Sequence, residues 1–176
     1  MDKGKVREVT GTLRLILMRH GHSPMSAPSD HMRTLSSLGA KQASYTGQRL
    51  ADWPSIWTPQ LILVSDAQRT QETFTSLCST WSSLERGRAK TSSELYLASA
   101  EQWRLILAER SQVTVVMCLG HNPGISDLIG VLCGQWVNLE VGEAVGLSVR
   151  GQAGWRSATQ AKWELQGRVR PNDELS

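Results

Sequence analysis

The chain has 176 residues and a mass of 19.4 kDa, which is enough for one domain with its own hydrophobic core. Apolar residues make up 40% of it and charged residues 20%, and this composition excludes an intrinsically disordered protein. The net charge of +3 is too small to indicate nucleic-acid binding by itself, but it is compatible with a small anionic ligand. The best apolar runs, 13–18 and 113–119, are far shorter than the roughly 20 residues that cross a bilayer, which excludes a membrane-spanning helix.

The cysteines and the first residues bear on the compartment. Cys78, Cys118 and Cys133 are odd in number and far apart, which excludes a fully paired disulfide framework and a zinc site made of cysteines alone. They indicate a reducing environment. The first eight residues carry charges of both signs and no apolar stretch, so we expect a polar tail and not a secretory signal. We therefore predict a cytoplasmic protein, with import into an organelle left open.

In chain order, short apolar runs alternate with longer amphipathic runs, a pattern typical of an α/β domain with a largely parallel sheet. The pattern predicts buried strands over 13–18, 60–65 and 113–119, and two late strands over 144–149 and 161–166. The late strands are expected to form an antiparallel hairpin at the sheet edge. Helices are predicted over 36–53, 66–81 and 99–109, followed by one that ends at Cys133. The predicted fold is α/β, a three-layer α/β/α sandwich whose mostly parallel central sheet is flanked by helices.

Three of the helices carry more specific expectations. The first is expected to bury a face made by Leu38, Ala43, Gly47 and Leu50. The second has Asp66 in its first turn, where the helix dipole favours negative charge. Ser99 and Gln102 have the spacing of a capping box that opens the third. We predict one domain over 13–169, between a polar N-terminal tail over 1–12 and a C-terminal tail over 170–176.

Three polar clusters each follow the end of a predicted buried strand. They are Arg19-His20-Gly21-His22-Ser23, Ser65-Asp66-Ala67-Gln68-Arg69 and Gly120-His121-Asn122-Pro123. In open α/β sheets, ligands bind in the crevice beyond the carboxyl ends of the strands. Two arginines and two histidines on one rim would form an anion site, because arginine forks match phosphate oxygens. The grouping indicates a phosphate ligand.

The same residues give the chain a family resemblance over about residues 13–150. It resembles the histidine phosphatase superfamily, also called phosphoglycerate mutase-like, and within it the small SixA-type phosphohistidine phosphatases. The segments that carry the resemblance are 17–23 (LMRHGHS), 30–39 (DHMRTLSSLG), 65–73 (SDAQRTQET), 94–98 (ELYLA) and 120–124 (GHNPG). An Arg-His-Gly triplet alone is common by chance, but its combination with the later segments in this order is specific. Arg33-Thr34-Leu35 departs from the more usual Arg-Pro-Leu.

The resemblance implies a role for four residues of these clusters. His20 would be the nucleophile that is transiently phosphorylated, since a neutral imidazole nitrogen is nucleophilic and its phosphoramidate is labile. Arg19 and Arg69 would bind the phosphoryl oxygens. His121 would supply a further donor as charge shifts during transfer.

The resemblance leaves the proton donor open. Glu94 matches the place where a general acid enters in members that act on phosphate esters, and His22 is a second candidate for proton transfer. Around the phosphate or substrate we expect Gly21, His22, Ser23, Arg33 and Asn122. His31 and Arg33 are expected in a loop over the pocket, which a pair between Asp30 and Arg33 would hold.

No metal or cofactor is implied, because the two arginines would do the work that magnesium does in other phosphoryl-transfer enzymes. The four histidines show no His-x-x-x-His spacing and no clustered carboxylates. The expected substrate is a phosphorylated protein or a small phosphorylated molecule. The segments between Arg69 and Glu94 and between Glu94 and His121 hold no long insertion, which predicts an open site that suits a phosphorylated protein.

Three alternative functions remain at this point. They are a broad small-molecule phosphomonoesterase, a phosphoglycerate mutase-like enzyme, and a phosphate-recognition module without turnover. Seven scattered tryptophans without an interleaved basic stripe disfavour a nucleic-acid platform, and neither a nucleic-acid nor a membrane partner is expected. The oligomeric state is left open.

Overall fold

The computed structural model describes residues 11–110 and 112–171. The strands in this part are β1 (Gly11–Arg19), β2 (Leu61–Ser65), β3 (Ala89–Ser92), β4 (Val115–Gly120), β5 (Ala144–Gln152) and β6 (Glu164–Val169). The α-helices are α1 (Ser37–Ala51), α2 (Gln68–Thr80), α3 (Ala100–Ala108), α4 (Gly124–Cys133) and α5 (Trp155–Ala158). Among the residues described, no helix is both long enough and apolar enough to cross a membrane.

The strands form one mixed sheet in the order β3-β2-β4-β1-β5-β6. The first four strands in this order pair in parallel, and β5 and β6 pair antiparallel. Alternate side chains of β1 enter the two layers of helices: Leu15 and Leu17 pack in the cluster that holds α3, α4 and α5, and Ile16 and Met18 pack in the cluster that holds α1 and α2. The predicted three-layer sandwich is confirmed.

Several local predictions are also confirmed. All six residues of β4 are buried, as expected of a central strand covered on both faces. Ser99 and Gln102 form the complete capping box at the start of α3. The late strands form the antiparallel hairpin at the sheet edge, although β6 begins at Glu164, three residues later than predicted. The predicted tails lie mostly outside the described residues, and β1 begins at Gly11.

Other local predictions are wrong, for identifiable reasons. Leu38 is 43% exposed, because the buried face of α1 is rotated onto Gly39, Ala43, Gly47 and Leu50 and their polar neighbours. Asp66 precedes α2 and contributes no acid to its first turn, since its carboxylate contacts His31 instead. The edge strand β3 was not predicted, because its sequence (AKTS) is polar and an edge strand needs little apolar surface.

The register of the sheet brings two of the polar clusters side by side. β1 and β4 are neighbours, with Arg19 opposite Gly120, and the backbone N–H of His20 donates to the carbonyl of Gly120. β2 lies on the other side of β4 and ends at Ser65. His20, His121 and Ser65 therefore lie together at the end of the sheet where these strands have their carboxyl ends.

Two glycines let the loop after β1 pack closely against the start of α1. A Cβ atom at Gly21 would lie 2.5 Å from the carbonyl oxygen of Gly39, and one at Gly39 would lie 2.2 Å from the carbonyl oxygen of His22. Both obstacles are backbone atoms, which cannot move aside as a side chain can. The residue that follows the predicted nucleophile is thus fixed by close backbone packing.

We expect Gly39→Ala to destabilise the protein by about 1–3 kcal/mol, because the added methyl group overpacks a backbone contact. This cost opposes the helix propensity of alanine, which exceeds that of glycine by about 1 kcal/mol. The measurement is the urea midpoint of unfolding, with Gly87→Ala as the control, since a Cβ at Gly87 meets nothing within 4 Å. Equal stability of the two variants would contradict the packing role of Gly39.

Candidate active site

Arg69 joins the two histidines that the sequence places at the strand ends. Its Nε lies 3.2 Å from Nε2 of His20, and its Nη2 lies 3.2 Å from Nδ1 of His121. The ring centroids of the two histidines are 5.2 Å apart. Arg69 and His121 are each 2% exposed and His20 is 7% exposed. Three of the four predicted catalytic residues therefore form one buried, directly bonded group.

Hydrogen bonds define which nitrogen of His20 is available for reaction. Nδ1 lies 2.7 Å from the carbonyl oxygen of Gly21. Because a carbonyl oxygen only accepts, Nδ1 carries the proton and donates it to this oxygen. Nε2 is then unprotonated, and it accepts from Nε of Arg69. The tautomer places on Nε2 the lone pair that a nucleophilic histidine needs, and attack on phosphorus would require Arg69 to release this lone pair.

The surroundings of His20 keep the imidazole uncharged. Burial lowers the pKa of His20 from 6.5 to about 4, against the opposing effect of the hydrogen bond to Gly21. The positive charges of Arg69, Arg19 and Arg33 lower the pKa further. His20 therefore becomes protonated only as the pH falls to about 4, and its nucleophilic form prevails at neutral pH.

His121 is fixed by an analogous pair of bonds. A guanidinium only donates, so Nδ1 of His121 accepts from Arg69, and Nε2 carries the proton and donates to Oγ of Ser65 at 2.8 Å. Burial, followed by the charges of His20 and Arg69, lowers the pKa of His121 to about 3. Ser65 belongs to one of the predicted polar clusters, but no role was predicted for it. In the structure its hydroxyl oxygen accepts from His121 and so orients that ring.

Arg19 stands at the end of β1, where its backbone N–H donates to the carbonyl of Glu143. Its Nη1 donates to the carbonyl of Leu139 at 2.9 Å. Within the described part of the chain, its Nε is buried without a hydrogen-bond partner. Burial lowers the pKa of Arg19, and the negative charge of Glu140 opposes this. A buried donor without a partner costs free energy, which fits a group that a ligand completes.

The carboxylate of Asp30 completes the surroundings of Arg69, a contact that the sequence did not predict. Nη2 of Arg69 lies 3.0 Å from Oδ2 of Asp30, and Nη1 donates to the backbone carbonyl of Asp30 at 2.6 Å. The hydroxyl of Tyr96 donates to the same Oδ2 at 2.5 Å. The bonds from Tyr96 and Arg33 are the main reasons why the pKa of the Asp30 carboxyl lies far below its usual range. Asp30 is therefore ionised and balances the charge of Arg69.

The segment 24–35, which we call the strap, is tied down by Arg33. The Arg33 side chain donates to the carbonyls of Pro24 and Ser23, at 2.9 and 2.6 Å, and to Oδ1 of Asp30 at 2.8 Å. Oγ of Ser23 donates to the carbonyl of Thr34 at 2.6 Å. The predicted pair between Asp30 and Arg33 is confirmed. The observed bonds of Arg33 and Ser23 hold the strap, and phosphate binding by either residue stays a prediction.

The other residues expected around the substrate also have structural contacts. The N–H of Gly21 donates to Oγ1 of Thr73, and Nδ1 of His22 lies 2.8 Å from Oγ of Ser36, the cap of α1. The amide of Asn122 donates to the carbonyl of Leu139 at 2.9 Å and accepts from Ser126. These contacts position the loops, and a role in substrate binding stays a prediction for all three.

Glu94 lies in a 3-10 turn, Ser93–Leu95, after β3 and is exposed. In the part of the chain that the structure describes, its carboxylate makes no hydrogen bond or ion pair. Tyr96, two residues later, lies against the cluster instead, with its ring centroid 5.5 Å from that of His121. Its ring also lies 5.9 Å from Cζ of Arg69. Tyr96 stands in the segment 94–98 that carries part of the family resemblance, but no role was predicted for it.

We expect the rings of His20 and His121 to stay neutral at pH 5, because their pKa values of about 4 and about 3 lie well below that of a free histidine, about 6.5. The check is a titration followed by NMR of the histidine side chains, with His20→Asn used to assign the His20 signals. A midpoint near 6.5 for His20 would contradict the neutral, buried nucleophile.

Comparisons with known proteins bear on the family and the fold. A family model for the histidine phosphatase superfamily (branch 1) matches residues 15–95. An uncharacterized chloroplastic protein of Arabidopsis thaliana is 32% identical, over 92% of this chain and 79% of that protein. The proposed phosphohistidine phosphatase SixA from Nakamurella multipartitia superposes with a TM-score of 0.78 at 25% identity, over 92% of this chain and 97% of its own. The protein histidine phosphatase SixA complexed with tungstate gives a TM-score of 0.77 at 19% identity, over 92% of this chain and 99% of its own.

The sequence match covers the first part of the chain, and the structural match covers 92% of it. The family model includes Arg19, His20 and Arg69, and the superposed fold extends through β4, after which His121 lies. The motifs, the mixed sheet and the bonded group at the strand ends point to one assignment. The chain belongs to the histidine phosphatase superfamily.

Proposed function

We propose that this protein is a phosphatase that hydrolyses phosphohistidine through a covalent phosphohistidine intermediate on its own His20. The observation that carries the proposal is the unprotonated Nε2 of His20, held 3.2 Å from a buried arginine. A neutral nitrogen can attack phosphorus, and a neighbouring guanidinium can stabilise the negative oxygens of the phosphoryl group.

The remaining roles follow from the donors around Nε2. Arg19 and Arg69 would bind the phosphoryl oxygens, since one guanidinium has a buried unpartnered Nε and the other already reaches both histidines. The resemblance gives His121 the role of a further hydrogen-bond donor as charge develops, which would require its proton on Nδ1. In the free site Nδ1 accepts from Arg69, so this role requires Arg69 to turn from His121 to the phosphoryl group. Removing one such donor typically costs an enzyme about 2.7–4 kcal/mol of transition-state stabilisation. The two arginines supply the positive charge of the site in this proposal, which is why it includes no metal.

The protonation states support phosphohistidine over a phosphate ester as the substrate. Asp30 contacts Arg69, but it is ionised and has no proton to give. Glu94 is exposed and has no bond to the cluster. Neither carboxyl group can therefore protonate the weakly basic leaving oxygen of an ester, whereas the more basic leaving nitrogen of a phosphohistidine can be protonated by a weaker acid such as an imidazolium. The SixA proteins, described as phosphohistidine phosphatases, share the fold.

The place of action and the partners belong to the same proposal. The substrate would be a phosphorylated protein, and neither a nucleic acid nor a membrane is required. The Arabidopsis relative is described as chloroplastic, which favours import into an organelle over the cytoplasmic location that the sequence predicted.

Incubation with a histidine-phosphorylated, ³²P-labelled peptide in the presence of EDTA tests the proposal. After an alkaline quench, we expect the label on His20, because phosphohistidine survives alkali and the covalent step needs no metal. Mass spectrometry locates the label, and His20→Asn should abolish both labelling and turnover while the protein stays folded by circular dichroism. A benzyl phosphate run in parallel ranks an ester against phosphohistidine.

The proposal would be contradicted by turnover that persists in His20→Asn or by turnover that EDTA removes. A label on His22, His31 or His121 with none on His20 would equally overturn the assignment of the nucleophile.

A further inference from the structure

We propose that His31, oriented by Asp66, is the group that protonates the leaving imidazole and later takes the proton of the hydrolytic water. This inference rests on the proposed function. It assigns a catalytic role to a residue that the sequence placed only in a loop over the pocket.

His31 is held at the mouth of the site by both its backbone and its side chain. Its Nε2 lies 2.9 Å from Oδ1 of Asp66, which directly follows β2. Its carbonyl accepts from the N–H of Gln68 at the start of α2, next to Arg69. The side chains of His31 and Asp66 are 42% and 31% exposed, so a substrate can reach them.

Tyr96 connects this pair to the buried group. The ring centroid of His31 lies 4.9 Å from that of Tyr96, edge to face. The ring centroid of Tyr96 also lies 5.5 Å from that of His121. His31 and His121 therefore both contact the ring of Tyr96. It also adjoins Asp30 in the strap, whose carbonyl and carboxylate both bind Arg69.

The geometry of phosphoryl transfer places the leaving group on the side of phosphorus opposite His20. The attacking and leaving atoms lie roughly in line through phosphorus. His20 is 7% exposed and forms the base of the site, so the leaving atom lies on the outer side, at the mouth. The partly exposed His31 lies at this mouth, whereas Ser65 and His121 lie at the base.

Other side chains near the mouth that carry a proton make different contacts. Nδ1 of His22 contacts Ser36 at the start of α1, and Glu94 makes no bond to the cluster. The Tyr96 hydroxyl donates to Asp30, and this bond raises the pKa of Tyr96. Histidine is the side chain most often used to transfer protons in enzymes near neutral pH.

The charges around His31 suit a proton carrier. Asp66 faces its Nε2 from the end of β2, and the ionised Asp30 precedes it in the strap. Tyr96 presents its ring, and the positive Arg69 and the neutral His121 lie behind that ring. Asp66 stabilises the imidazolium through Nε2–H, which leaves Nδ1–H as the proton that can be given away.

The two half-reactions balance. In the first, Nε2 of His20 forms a bond to phosphorus, the phosphorus–nitrogen bond of the substrate breaks, and the leaving nitrogen takes the proton from Nδ1 of His31. In the second, water attacks the phosphorus on His20, the phosphorus–nitrogen bond to His20 breaks, and His31 takes the released proton. Phosphate leaves, and His20 and His31 return to their starting states.

The dependence on the leaving group tests this role. We expect His31→Asn to lower kcat/KM for a histidine-phosphorylated peptide by about 10²–10⁴-fold, the usual contribution of a general acid. For 4-nitrophenyl phosphate the loss should be only a few-fold, because nitrophenolate leaves without a proton. Met32→Ala, at the exposed neighbouring position, is the matched control and should leave both substrates unaffected.

The pH profile supplies a second readout that a purely structural role would not move. The wild-type profile of kcat/KM with the peptide should fall on the alkaline side, and this fall should be absent in His31→Asn. Asp66→Asn should lower kcat/KM for the peptide more than for 4-nitrophenyl phosphate, since His31 loses the carboxylate that orients it. An equal loss on both substrates, or unchanged activity, would overturn the role of His31 while labelling of His20 still stands. Absence of any turnover that depends on His20 would overturn the proposed function itself.

Discussion

A single buried guanidinium connects most of the site. Arg69 is 2% exposed, and a buried positive charge is tolerated only where hydrogen bonds and an opposite charge replace water. His20 and His121 accept from it through ring nitrogens, and Asp30 accepts through both its carboxylate and its backbone carbonyl. The bonds from Arg69 require an unprotonated nitrogen on each histidine, so the same residue that would bind phosphate also sets both tautomers. Removing one partner of such a buried charge typically costs about 3–5 kcal/mol, which explains why the surroundings of Arg69 are so fully bonded.

The fold delivers this arrangement through three strand ends and one strap. β1, β4 and β2 are adjacent and parallel, so the residues that follow them meet at one edge of the sheet. Gly21 and Gly39 allow the loop after β1 to lie directly on α1, and the strap crosses from that loop to Arg69. The predicted open site is thus bordered by a short covering segment. The strap contributes Asp30 to the charge balance and His31 to the mouth, where an imidazole paired with Asp66 would supply the proton that no carboxylic acid in contact with the cluster can give.

The sequence was sufficient to predict the layers of the fold and the strand-end clusters, from which the structure brings His20, Arg69 and His121 together, while the catalytic roles of these residues stay predictions. These features depend on local patterns, such as the apolar run of β4, or on motifs that keep their order along the chain. The contacts of Asp30 with Arg69, of His31 with Asp66 and of Tyr96 with Asp30 could not be predicted, because they join a loop to residues 35 or more positions away, and loop conformation has no periodic signal. The polar edge strand β3 was missed for a related reason, since half-exposed edge strands carry little hydrophobic pattern. Asp66 was expected to favour a helix N-terminus, but the tertiary partner His31 prevailed over that local preference.

A crystal structure with bound orthovanadate would test the central role of Arg69 and His20 most directly, because vanadate adopts the geometry of a phosphoryl group in transfer. If Arg69 organises a phosphoryl site around a neutral His20, vanadium should be bonded to Nε2 of His20. Its oxygens should accept from Arg19 and Arg69, and the outermost oxygen should face His31. Vanadate bonded to another histidine, or bound away from Arg69, would contradict this organisation of the site.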